Sequence, residues 1–193
     1  FTQSDHLCKL DGAVGDGDHG VTMEIGWKAA LSALDQSADK ATISELCNVM
    51  AQAFLDAVGA SAGPLYATAF STAGVAVSDR LNLDAAATVA WLAGMTEGIA
   101  SRGGATAGEK TMIDAWAPAV LDASRALEQG ASVASCMMAA AEGAARGAEA
   151  TIQMQSNRGR SKKLGSRSIG HRDPGAASAA IMIAAWAQAL RDA

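Results

Sequence analysis

An all-α fold is predicted for this chain of 193 residues on three observations. Half of the residues are hydrophobic but only 4% are aromatic, and alanine, the best helix former, carries much of that half. Apolar residues recur at helical spacing along most of the chain. Strand signals are nearly absent: Gly74-Val75-Ala76-Val77 comes closest to a β-run, and it sits inside an alanine-rich helical window. The length favours one domain with a substantial core, and no segment reads as a linker or an exact repeat.

Seven helices can be placed in order. The first runs from Val21 to about Leu34, directly after a glycine- and aspartate-rich loop. Thr42-Ile43-Ser44-Glu45 resembles a capping box, and the helix behind it presents Leu46, Met50, Phe54 and Val58 at spacings of four. Gly59 to Gly63 breaks that helix, Pro64 suits the first turn of the next, and that one runs to about Arg80. A fourth begins near Asp84 and stripes Trp91, Met95 and Ile99 on one face. After a loop from Arg102 to Gly108, helices read from about Glu109 to Glu128 and from Ala131 to about Met154. Gln155 to Asp173 is polar, basic and rich in glycine and serine, and Pro174 to Leu190 forms the last helix. Alanine and methionine faces read as core. An eighth helix is left for the region upstream of Phe1, where no methionine marks a start.

Composition excludes several roles. A formal net charge of -5 argues against a nucleic-acid surface. Cys8, Cys47 and Cys136 are odd in number, widely spaced and form no CxxC pair, which points to free thiols in a reducing compartment, the cytoplasm. The most apolar stretch, Pro174 to Leu190, is mostly alanine and too short for a membrane span.

The chemistry concentrates in loops. In Leu10-Asp11-Gly12-Ala13-Val14-Gly15-Asp16-Gly17-Asp18-His19-Gly20, three aspartates fall within eight positions, separated by glycines. Such a loop is either a solvated acidic turn or a site for a hard cation that relieves the repulsion of clustered anions. The EF-hand pattern fails, since position 27 is Trp27 instead of glutamate, and magnesium shared with phosphates fits better. His19 and Gly20 open the next helix, where backbone N–H groups bind anions and Thr22 adds a hydroxyl; a plain capping role for His19 is equally open. No Walker A lysine motif is present. Gly59-Ala60-Ser61-Ala62-Gly63-Pro64 lets a ligand approach the backbone closely or is a simple turn. The loop from Arg102 to Met112 has the same two readings. The segment from Arg158 to Arg172 carries Arg158, Arg160, Lys162, Lys163, Arg167 and Arg172. Arginine suits phosphate through its planar fork of donors.

In order along the chain, LDGAVGDGDHG, GASAGPLYATAF, RGGATAGEKTMIDAW and GRSKKLGSRSIGHRDPGAAS resemble the magnesium loop, the glycine-rich nucleotide loop, the RGxxxxGDKTMxD-type segment and the C-terminal GRAxxLGxRSxGHxDPGA signature of one family. This is the nucleotide-binding L subunit, or L domain, of dihydroxyacetone kinases. The resemblance covers nearly the whole chain, 1–193, as one L-type domain. It implies a single-domain barrel of about eight antiparallel helices with nucleotide in the loops at one end. It implies two Mg2+ ions held by Asp11, Asp16 and Asp18, bridging the phosphates of ADP or ATP. Nucleotide contacts carry over to His19, Gly20, Val21 and Thr22, to Ala60 and Ser61, to Gly103 and Met112, and to Arg160, Asp173, Pro174 and Gly175.

Two departures stand out. Ala62 occupies a position where the family usually has serine, with the hydroxyl one residue earlier at Ser61. The helix after the metal loop reads TMEIGW where many members have NMxRGF, so Thr22 replaces asparagine and Ile25 replaces arginine.

The resemblance implies phosphoryl transfer to the hydroxyl of a short ketose held by a separate K subunit or K domain. Asp11, Asp16, Asp18 and Arg160 are the expected catalytic residues. The phosphate source is either exchanging ATP or a phosphotransferase-system protein that recharges bound ADP. A rival reading is a nucleotide-loaded module that regulates a partner such as a transcription regulator; a third is a helical scaffold without ligand. Without nucleotide, the segment from about Asn157 to Asp173 is expected to be mobile.

Overall fold

The computed structural model describes residues 2–38 and 40–192. Among them are α1 (Ser4–Gly12), α2 (His19–Leu34), α3 (Ile43–Ala57), α4 (Ala62–Val77), α5 (Ala85–Gly103), α6 (Ile113–Glu128), α7 (Val133–Ala150) and α8 (Pro174–Asp192). Two 3-10 segments, Thr151–Gln153 and Arg160–Ser168, complete the regular structure, and no described residue is in a strand. The all-α class is therefore as expected. No helix of the described residues is long and apolar enough to cross a membrane. The helices fall into two compact units, Thr22–Gly104 and the remainder on either side of it.

In the unit Thr22–Gly104, α3 packs on α4 and α4 on α5. The capping box at the start of α3 forms as the sequence predicts: Glu45 N–H donates to Thr42 Oγ1 at 3.2 Å and Thr42 N–H to Glu45 Oε2 at 2.7 Å. Asp84 caps α5 in the same way, accepting from Ala87 N at 2.7 Å. The few aromatics gather: Phe54 lies 5.3 Å from Tyr66 and 5.7 Å from Trp27 between ring centroids. Alanine and glycine let the helices approach closely elsewhere. A Cβ on Gly94 of α5 would sit 2.7 Å from Ala73 Cα of α4, so only glycine fits that crossing.

In the other unit, α6 packs on α7, α7 on α8, and α1 on α8. Trp116 of α6 and Trp186 of α8 meet with centroids 6.2 Å apart. The first helix was not legible. Besides the seven helices read from the sequence, the described residues include α1 at Ser4–Gly12. Its nine residues bury only Leu7 and Asp11, too sparse a pattern for periodicity to register. The helix expected from Glu109 starts instead at Ile113, because the Asp114 carboxylate draws the preceding N–H groups of Gly108 and Thr111 into a turn. The helix expected to reach Met154 ends at Ala150 and tightens into the first 3-10 segment. The basic segment is partly helical, as two 3-10 stretches broken at Gly165.

Candidate nucleotide and metal site

The acidic loop is organised by its one buried member. Asp11 sits in the last turn of α1 and is buried. Its Oδ2 accepts the backbone N–H groups of Gly17 and Asp18 at 3.0 Å and of His19 at 3.2 Å. Those bonds curl the loop back onto α1 and satisfy donors at the start of α2 that have no partner inside the helix. Asp16 and Asp18 are left exposed beside it, and one carboxylate oxygen of each of the three lies within 4.8 Å of the others. Three anions this close repel one another. The structure answers with Arg160, from the second 3-10 segment, which forms ion pairs with Asp16 and with Asp18, the latter at 3.4 Å.

His19 does not cap α2; Asp11 takes that role. The His19 ring reaches across to α8, with Nε2 at 2.9 Å from Ser178 Oγ and a hydrogen bond to the Pro174 backbone. Burial pushes its pKa down, against the opposing pull of Asp11 and of that backbone bond. The ring thus ties the start of α2 to the start of α8. There Asp173 caps the helix, accepting from Ala176 N at 2.8 Å, and Pro174 occupies the first helical position, where its missing N–H costs nothing. Met112 closes this side: its Cβ and Cε lie 3.6 Å from where a Cβ on Gly175 would stand.

Eleven of the expected residues share one unit: Asp11, Asp16, Asp18, His19, Gly20, Val21, Met112, Arg160, Asp173, Pro174 and Gly175. Val21 is half exposed at 52%. The others lie in the unit Thr22–Gly104. Thr22 is partly buried on α2. Ala60 and Ser61 precede α4, with Ser61 exposed. Leu65 N–H donates to Ser61 O at 3.3 Å, and Leu65 Cδ2 would lie 3.1 Å from a Cβ on Gly103 at the end of α5. Ala60, Ser61 and Gly103 therefore gather at one end of the α4–α5 pair.

A family model described as the DAK2 domain matches residues 13–188. The chain belongs to the DAK2 domain family. It is 37% identical over 191 residues to the "PEP-dependent dihydroxyacetone kinase, ADP-binding subunit DhaL" of Escherichia coli, covering 99% of this chain and 90% of that one. It is 35% identical to the "L-erythrulose 1-kinase" of Mycolicibacterium smegmatis, over 95% of this chain but 32% of that enzyme. Among solved structures, it resembles the dihydroxyacetone kinase of C. freundii in complex with AMP-PNP and Mg2+, with a TM-score of 0.75 and 28% identity over 97% of this chain and 31% of that chain. The chain spans about a third of the length of that kinase.

The donor set of the DAK2 loop suits a magnesium ion: all-oxygen, anionic, two of three ligands exposed, with a buried member holding the shape. The basic segment divides by partner. Arg158 pairs with Glu109 at 3.0 Å and Arg172 with Glu149, whereas Arg160 alone among these arginines faces the acidic cluster.

Two further charged residues of this DAK2 chain were missed. Lys110 and Asp114 are buried, 1% and 5% exposed. Both stand at fixed positions of the RGxxxxGDKTMxD-type segment, which was the available signal. Burial lowers the Lys110 pKa, opposed by the charges of Asp173 and Asp114. Burial also pushes Asp173 up to about 7, against its helix-capping hydrogen bond and the Lys110 charge.

Proposed function

We propose that this chain is the ADP- or ATP-binding subunit of a dihydroxyacetone-type kinase, acting as one L-type domain over residues 1–193. The observation that carries the reading is the convergence of Asp11, Asp16 and Asp18 within 4.8 Å, bridged by Arg160. Asp11, Asp16 and Asp18 would hold two Mg2+ ions. Bound there, magnesium supplies charge neutralisation and orientation for the phosphates of the nucleotide.

The chain's own residues do the rest. Asp11 holds the loop by three backbone hydrogen bonds, so the exposed carboxylates are placed before any ligand arrives. Arg160 exchanges its carboxylate partners for phosphate oxygens, for which its guanidinium fork is suited. The N-terminal turn of α2, at Gly20, Val21 and Thr22, offers backbone N–H groups and a hydroxyl to anionic oxygens. Met112, Pro174 and Gly175 offer an apolar, close-packed surface suited to the nucleoside. Within the unit Thr22–Gly104, Ala60, Ser61 and Gly103 are small residues that leave backbone accessible.

The acceptor is the hydroxyl of a short ketose held by a separate K subunit or domain. A phosphotransferase-system protein is the phosphate source, with ADP retained as a cofactor, in keeping with the relatives named as ADP-binding subunits. The three free cysteines fit a cytoplasmic location. The test is turnover of dihydroxyacetone by the purified chain with a K subunit, Mg2+ and ADP. Phosphorylation that depends on added phosphotransferase-system proteins is expected. Turnover on ATP alone would replace the donor, and absence of turnover with either donor would overturn the kinase reading.

A further inference from the structure

Lys110 is a buried cation outside the phosphate-facing cluster. It is 1% exposed, and its backbone adopts a left-handed conformation at φ 60 that side-chain-bearing residues seldom take. Asp114 holds that turn by accepting from Gly108 N and from Thr111 N, the latter at 2.8 Å. So constrained, the Lys110 ammonium donates to two backbone carbonyls on separate segments, Thr151 at the end of α7 and His171 before α8. Thr151 completes the junction, its Oγ1 accepting from Asp173 N at 2.9 Å and donating to Ala148 O at 2.6 Å.

Three stretches of chain are thereby joined at one ammonium: the turn leading into Met112, the end of α7, and the turn leading into Asp173, Pro174 and Gly175. Two of the three run directly into residues assigned above to the nucleoside. Two of the three ammonium N–H donors are committed to carbonyls, and at 1% exposure the group is turned away from any phosphate bound at the open, exposed cluster. Its consequence is geometric, because it sets where Met112 meets Gly175.

We infer that Lys110 is a positioning residue for nucleotide binding: by bonding the Thr151 and His171 carbonyls it holds the Met112 turn against the start of α8, so that its loss weakens the grip on the nucleoside and leaves the grip on phosphate intact. The inference rests on the proposed nucleotide site but specifies which half of it depends on a residue that touches no ligand. A merely structural lysine would instead weaken both halves together, or neither.

The experiment compares Mg-ADP and Mg-pyrophosphate as probes by calorimetry, and follows backbone amide exchange in the ligand-free chain. Lys110→Met keeps the length of the side chain and removes the charge. Thr151→Val keeps the volume and removes the acceptor of Asp173 N, and provides a milder lesion at the same junction if Lys110→Met does not fold. Met137→Ala, a buried α7 residue, controls for general destabilisation. Lys110→Met is expected to weaken Mg-ADP about tenfold or more while Mg-pyrophosphate changes by about twofold or less. Thr151→Val should move in the same direction by a smaller factor, and both should speed exchange at residues 173–177 where Met137→Ala does not. Equal weakening of both probes, unchanged Mg-ADP affinity, or unchanged exchange at 173–177 in the folded variants would overturn the inference. Failure of the wild-type chain to bind either probe would overturn the nucleotide-site reading, and the exchange measurement would still decide whether Lys110 positions the start of α8.

Discussion

Two clusters of acid and base lie in the same unit and differ in what surrounds them. At the acidic loop, Asp16 and Asp18 are exposed and meet the exposed Arg160. At the α6–α8 junction, Asp114 and Asp173 are buried and share their surroundings with buried Lys110. The residue types are nearly the same, but the hydrogen bonds go to different places. Lys110, Asp114 and Asp173 bond mainly to the backbone, on Thr151, His171, Gly108, Thr111 and Ala176. Arg160, Asp16 and Asp18 pair with one another through solvent-exposed contacts that a metal-bound phosphate can replace at small cost. The buried cluster therefore serves the shape of the fold and the exposed one is available for exchange. Asp11 belongs to both kinds: it is buried and backbone-bonded, yet it contributes an oxygen to the open site.

The contrast is sharpest where a buried partner is removed. Asp114→Ala strips the acceptor from two backbone N–H groups and takes a counter-charge from buried Lys110. Unfolding in urea should show a loss of roughly 3–5 kcal/mol, and a loss below about 1 kcal/mol would place the cluster among surface-like pairs. Next in size is a pH effect at Asp173. Its pKa is raised from the ordinary 3.8 to about 7 in the folded chain, so between those values the folded state holds a proton that the unfolded state has released. Stability contributed in this way is present below about pH 4 and is lost as pH rises through about 7. The ligand-free wild type should therefore lose stability relative to Asp173→Asn across that window, as followed by urea unfolding at several pH values. A difference independent of pH would show that Asp173 is ionised throughout. The smallest effect on folding belongs to the open cluster: Arg160→Ala should change stability by less than about 1 kcal/mol, while weakening Mg-ADP about tenfold through loss of a charge-assisted contact to phosphate. A large loss of stability would make Arg160 a structural residue.

The same contrast explains what could be read from the sequence. The capping box at Thr42 and Glu45, the helix start at Pro174 and the clustering of three aspartates are local patterns, and each formed as the residues indicated. Arg160 could be singled out among six basic residues only through the family resemblance, because in composition it equals Arg158 and Arg172, which pair with Glu109 and Glu149 instead. Lys110 and Asp114 were passed over because burial depends on distant segments, here the end of α7 and the turn before α8. Helix α1 escaped for a related reason: its main packing side is one leucine and one aspartate, and the partner that justifies it, α8, lies at the other end of the chain.

The central claim is that the open acidic cluster is a magnesium–nucleotide site. Asp16 and Asp18 are the residues with which to test it, since Asp11→Ala would also release three loop N–H groups and confuse binding with folding. Calorimetry of Mg-ADP binding to the wild type and to a double Asp16→Asn, Asp18→Asn variant is the most direct measurement. The account predicts measurable binding to the wild type and a loss of about a hundredfold or more in the variant, equivalent to about 2.7 kcal/mol or more, with the thermal midpoint of the ligand-free protein little changed. Equal Mg-ADP affinity in the two proteins would contradict it.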